Sequence, residues 1–70
     1  MEISARNQLT GKVTNIVLGG VMAEVAIQLA GGQEVVAAIT RSSVERMGIA
    51  VGDEVTAFIK ATEVMVGKNR

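Results

Sequence analysis

Between Leu9 and Leu18 the apolar Val13, Ile16 and Val17 are interleaved with the polar Thr10, Lys12 and Thr14, which predicts a strand. Gly19-Gly20 then breaks the pattern, as a turn needing positive φ would. From Val21 to Ala30 the alternation is clean. Ala23, Val25, Ile27 and Leu29 fall on one face, and Met22, Glu24, Ala26 and Gln28 on the other. A period of two is the mark of a half-buried strand. Gly31-Gly32 reads as a tight hairpin turn, so the Val- and Ala-rich run from Glu34 to Thr40 should return antiparallel beside its predecessor.

The next segment changes character. Thr40 to Gly48 predicts a short helix, with Ser42 and Glu45 at capping-box spacing and Gly48 where a C′ glycine would end it. Ile49 to Asp53 is a loop with a Gly-Asp turn. Glu54 to Lys60 is a strand whose Val55, Ala57 and Ile59 face one way. Ala61-Thr62 interrupts it, Glu63 to Val66 is a final short strand, and 67–70 is a polar tail. Met1 to Ala5 either pairs within its own barrel or reaches into a neighbour. The expected fold is therefore all-β: one domain over 1–70, a small five-stranded Greek-key barrel of the OB type with one short helix.

Size bears on how such a barrel is stabilised. Seventy residues bury only about 60% of the surface the unfolded chain exposes, and a compact monomer would have a radius of gyration near ~11 Å. Chains this small need disulfides, a metal or oligomerisation. The sequence holds no Cys and no His, which removes disulfides, thiolate or imidazole metal ligands, thiol nucleophiles and His-based general bases. Oligomerisation is the remaining device, and 49% hydrophobic content supplies surface for it. Seven basic and seven acidic residues cancel, and Phe58 is the lone aromatic. Neither the charge footprint for a polyanion nor a base-stacking platform is present. No signal peptide or membrane span is readable, so the expected location is the cytoplasm.

Three places combine hydrogen-bond donors. In Ser4-Ala5-Arg6-Asn7, Ser4 and Arg6 would share one face of a strand, a hydroxyl beside a cationic fork. At the helix start, Thr40, Ser42 and Ser43 set hydroxyls beside unpaired N–H groups, with Arg46 one turn on from Ser43. Lys60-Ala61-Thr62 joins an ammonium, a hydroxyl and a strand end. Taken singly, Arg6, Arg46 and Lys60 are ordinary solvated charges, Ser42 an ordinary cap and Asn7 an ordinary turn residue. Brought together, donors without carboxylates suit a small oxyanion. Neither Gly pair lies in a phosphate-loop pattern. The scattered acids offer no paired carboxylates. A Ser-Lys nucleophile, Ser4 or Ser43 with Lys60, is the one enzymatic arrangement conceivable, in a chain with little room for a substrate pocket.

Ser4-Ala5-Arg6-Asn7-Gln8-Leu9-x-Gly11-Lys12-Val13 resembles the opening of the molbindins, the small molybdate-binding proteins of the Mop family, relatives of the TOBE domain. The resemblance runs on through Val36 to Thr40, Ser43-Val44, and Gly48-x-x-x-Gly52-x-x-Val55 to Val66, covering Glu2 to Gly67. It implies strand exchange between paired subunits, a hexamer built as a trimer of dimers, and oxyanion sites between subunits. Carried over by motif, the main site draws on Ser4, Ala5 and Arg6, on Lys60, Ala61 and Thr62, and on Thr40, Ser43 and Arg46 from a partner chain. Arg6 and Lys60 supply charge, Ser4, Thr40, Ser43 and Thr62 donate hydroxyl hydrogen bonds, and Ala5 and Ala61 act through the backbone. Family members often carry another residue at Arg46, and Ser42 is near enough to exchange roles with Ser43. The turn Gly19-Gly20-Val21-Met22 is a candidate for a second anion site on the threefold axis, and equally an ordinary hairpin turn.

The implied function is storage of molybdate, or of the similar tungstate, in the cytoplasm. The anion is held non-covalently, with no organic cofactor, no direct protein–metal bond and no catalysis. The alternatives are a molybdate-sensing accessory module of a transporter or regulator, for which no output domain is readable, and an OB-type nucleic-acid binder, which the charge balance disfavours.

Overall fold

The computed structural model describes residues 2–69. Four strands and one helix follow in the order β1 (Asn7–Leu18), β2 (Met22–Leu29), β3 (Glu34–Thr40), α1 (Arg41–Met47) and β4 (Glu54–Ile59), with a 3-10 turn at Ala61–Glu63. All pairings are antiparallel, and the sheet order is β3-β2-β1-β4. The fourth strand returns to lie beside the first, which is the Greek-key arrangement.

The long first strand is the hinge of the sheet. Its first half pairs with β4, from Asn7↔Ile59 to Lys12↔Glu54, and its second half with β2, from Gly11↔Leu29 to Leu18↔Ala23. A β-bulge between Val13 and Asn15 leaves Thr14 as the extra residue. One extra residue inverts which positions face inward. Before the bulge the inward side chains are Leu9 and Val13; after it Ile16 packs on the core and Val17 faces solvent. At Gly11 the strands come so close that a Cβ would collide with the Gln28 carbonyl oxygen and lie 2.9 Å from Ile27 Cγ2.

The core is small: Val13 (1% exposed), Ala23, Val25, Ile27 and Val44, with Ile16, Leu29, Ile39, Ile49, Val55 and Ala57 packed around it. The inward face expected for β2 is the one observed. The helix supplies Val44 and is closed at both ends. Its N-cap is Thr40, not Ser42: Thr40 Oγ1 accepts from the Ser43 N–H at 3.1 Å. The Ser42–Glu45 box is therefore out of register by two residues. Glu45 instead pairs with Arg41 at 3.3 Å. Gly48 ends the helix in the left-handed region (φ 64°), and Gly48 N–H to Glu45 O with Ile49 N–H to Val44 O complete a Schellman motif.

Three further expectations change. Gly19 and Gly20 do not have positive φ; among the described residues only Gly32, Gly48 and Gly52 do. Gly19 is needed instead for close approach, because a Cβ there would sit 2.8 Å from Met22 O. Residues 2–6 form no strand, so Ser4 and Arg6 do not share a strand face. The pairing considered for Met1, and Arg70 of the polar tail, lie outside the described residues. Finally, Glu63–Val66 is not a strand: Glu63 closes the 3-10 turn and Val64 to Val66 run on without secondary structure. A strand exists only through its ladder partner, and none of the four strands of this chain runs beside it.

The four strands curl into a half-barrel. Its open side is a groove of about 1400 Å³ between the free edges of β3 and β4, lined by apolar side chains including Val35, Ile39, Val55 and Phe58. The radius of gyration is 13.0 Å, above the compact expectation. The exposed surface, 5624 Å², exceeds the roughly 4,200 Å² of a compact monomer of this mass.

Candidate oxyanion site

Two of the three donor groups meet. Asn7↔Ile59 is the last pair of the β1–β4 ladder, so Ser4–Arg6 and Lys60–Thr62 leave the same end of the sheet side by side. The Asn7 side-chain amide donates to Ile59 O at 3.1 Å, and Gln8 Nε2 donates to Ala5 O at 2.9 Å. Beyond the ladder the chain tightens into the 3-10 turn, with Glu63 N–H donating to Lys60 O at 2.9 Å and Val64 N–H to Ala61 O at 3.4 Å. The turn opens without a side-chain cap. No N–H of Ser4–Arg6 or Lys60–Thr62 donates to an acceptor among the described residues. Arg6 and Lys60 make no ion pair among them either, the one pair being Arg41–Glu45. This end of the molecule therefore carries two cations, two hydroxyls and a set of open amides, all facing solvent apart from half-buried Ala5.

The third group lies elsewhere. Thr40 pairs with Met22, next to the turn that follows Leu18, and so sits at the opposite end of β1 and the opposite edge of the sheet. Its hydroxyl is engaged: besides capping Ser43 N–H, it contacts Ser43 Oγ at 2.7 Å and Ser42 Oγ at 3.3 Å. Arg41 N–H donates to Val21 O at 2.8 Å, so two of the helix-start amides expected to be unpaired are bonded. Arg46 is exposed in the last helical turn, where its charge complements the helix dipole. Within one chain Thr40, Ser43 and Arg46 cannot reach Ser4, Arg6 and Lys60.

The Gly19–Met22 turn is partly closed as well. Gly19 N–H donates to Met22 O at 2.8 Å, which leaves the Gly20 and Val21 amides open among the described residues. Sequence reasoning missed a neighbour here. Arg41 Nη1 donates to Gly19 O at 3.2 Å, holding a guanidinium against the turn. Its signal was available: a cation at the first helical position, with no acid in the first turn, opposes the helix dipole and needs another partner.

The TOBE domain profile matches residues 3–66, nearly the whole chain. The chain belongs to the TOBE domain family. This TOBE domain is 48% identical over 66 residues to molybdenum-pterin-binding protein 1 of Clostridium pasteurianum, covering 94% of this chain and 97% of the relative. Among solved structures it superposes with a TM-score of 0.91 on a molybdate-binding protein from Sporomusa ovata, at 48% identity, covering 97% of this chain and 100% of that one. It also matches ModG, described as a cytoplasmic molybdate-binding protein and solved with molybdate bound, with a TM-score of 0.84 at 43% identity, over 87% of this chain and 43% of that one. The two solved structures share the fold of this chain over the aligned residues. No helix among the described residues is long and apolar enough to cross a membrane.

Proposed function

We propose that this TOBE domain binds molybdate, and the closely similar tungstate, at sites completed between subunits, and serves as a cytoplasmic store of the anion. The observation that carries the reading is the pairing of Ser4–Arg6 with Lys60–Thr62 at one end of the β1–β4 ladder, two cations and open amides with no carboxylate bonded to them among the described residues. A tetrahedral dianion accepts hydrogen bonds at every oxygen and costs many kcal/mol to bury uncompensated. Arg6 and Lys60 offset its charge, Ser4 and Thr62 donate hydroxyls, and the backbone at Ala5 and Ala61 adds further hydrogen bonding. Thr40, Ser43 and Arg46 come from a second copy. The 1–70 chain acts as a single binding domain; binding is non-covalent, with no chemistry on the protein and no redox step. The names of the relatives support the ligand, and that of ModG the location.

Assembly follows from what the chain leaves open. Its excess exposed surface, about 1,400 Å², approaches two standard interface patches of ~800 Å² each. Val64–Val66 is apolar, with Met65 and Val66 exposed by 93% and 92%, and lacks a ladder partner among the described residues. The groove beside β3 and β4 is apolar and offers two free strand edges. Exchange of the terminal segment between paired chains supplies the fifth strand of each barrel. Three such pairs form a hexamer, with the Gly20 and Val21 amides and Arg41 available to a second anion on its threefold axis.

Native mass spectrometry with added molybdate, tungstate or sulfate tests the proposal. A hexamer that gains discrete masses with molybdate or tungstate is expected, and it counts the sites. A monomer or dimer that takes up none of the three removes the storage reading.

A further inference from the structure

Residues 2–6 lie ahead of the sheet, and among the described residues one hydrogen bond ties them to the rest of the chain: Gln8 Nε2 to Ala5 O at 2.9 Å. Across the ladder end, the neighbouring amide of Asn7 holds Ile59 O at 3.1 Å. The two held carbonyls have something in common. Each belongs to a peptide plane whose N–H is that of a site cation, Arg6 in one case and Lys60 in the other. A trans peptide is planar, with its C=O and N–H pointing in opposite directions. Fixing the oxygen therefore aims the N–H. A carbonyl that accepts a hydrogen bond also polarises its own N–H into a stronger donor. Neither of these N–H groups has an acceptor among the described residues.

We infer that Asn7 and Gln8 are positioning residues, which aim and polarise the peptide N–H groups of Lys60 and Arg6 toward the bound oxyanion. The inference rests on the proposed molybdate site and adds two residues that do not touch the anion. Asn7 acts from a half-buried place within the ladder. Gln8 acts from the surface, where its side chain is exposed.

The test uses Gln8→Met and Asn7→Leu, which keep side-chain length and remove the donor, with Arg6→Ala as the reference for the site itself. Calorimetric titration with molybdate is paired with the backbone amide resonances of the loaded protein. Gln8→Met is expected to weaken binding by about tenfold, the loss of one well-placed hydrogen bond. Thermal stability and assembly mass should stay unchanged, and the Arg6 amide proton should move upfield. Asn7→Leu should do the same at the Lys60 amide; if it does not fold, Gln8→Met alone decides. If Arg6→Ala loses binding while Gln8→Met keeps normal affinity and an unshifted Arg6 amide, the positioning inference is overturned and the site stands. If Arg6→Ala also binds normally, site and inference fall together.

Discussion

In the proposed site, Arg6 and Lys60 are the residues that would supply the charge to hold the anion. They stand on either side of the ladder end, and neither is bonded to a carboxylate among the described residues. Arg6→Ala and Lys60→Ala should each weaken molybdate binding by ~1–3 kcal/mol, the range of a charge-assisted contact, with the assembly intact. Titration calorimetry on both variants checks this, and normal binding by both would move the site elsewhere. The hydroxyl cluster at the helix start behaves differently, because Thr40 has a structural task. Thr40→Ala should cost about 0.5–2 kcal/mol of stability by loss of the cap, whereas Ser42→Ala should cost far less. Urea unfolding of the two variants separates them; equal losses would contradict the assignment of the cap. Thr and Ser both suit a cap, and the Ser-x-x-Glu spacing pointed to Ser42, two residues too late. The backbone decided the cap, since Thr40 is extended and is the last residue of β3.

At the scale of elements, the glycines divide by what surrounds them. Gly11 lies where β1 is paired on both sides, and any side chain there meets β2. Gly11→Ala should destabilise by ~1–3 kcal/mol, because the strands must part to admit the methyl group. Gly20 has open space and an ordinary φ, so Gly20→Ala should leave stability nearly unchanged. Thermal melts that ranked the two the other way would refute this account of the sheet. The strands β1, β2 and β4 were legible from alternation because each has one wet face, and β3 from its Val- and Ala-rich run after the Gly31-Gly32 turn. Glu63–Val66 shows the limit of that reading. Its residues suit a strand, but a period of two records suitability for pairing and cannot supply the neighbour.

For the whole molecule, the unfilled groove and the apolar terminus are complementary demands. Five buried core residues among those described are few, and the curled sheet leaves its open side lined by Val35, Ile39, Val55 and Phe58. Covering such surface stabilises by roughly 25 cal/mol per Å², so the proposed association would add what the single chain lacks. Met65→Asp with Val66→Asp should therefore shift the mass to smaller species in size-exclusion chromatography and remove molybdate uptake together. Neither side chain contributes to the core of the single chain. A double variant that remained a molybdate-binding hexamer would show that the terminus has no part in assembly.

By itself the chain of residues determined the alternation that makes four strands, the glycine that stops the helix, the absence of thiol and imidazole chemistry, and the donor-rich motifs at 4–6 and 60–62. These are local properties, written in side-chain periodicity and residue type. Only the tertiary structure decided which motifs meet. The β1–β4 register sets Ser4–Arg6 beside Lys60–Thr62, although 53 positions separate Asn7 from Lys60. The same sheet order sends Thr40, Ser43 and Arg46 to the far end of β1. The bulge at Thr14, which turns Ile16 inward and Val17 outward, was equally hidden, because one unpaired residue changes the face of every residue after it while leaving no mark in composition.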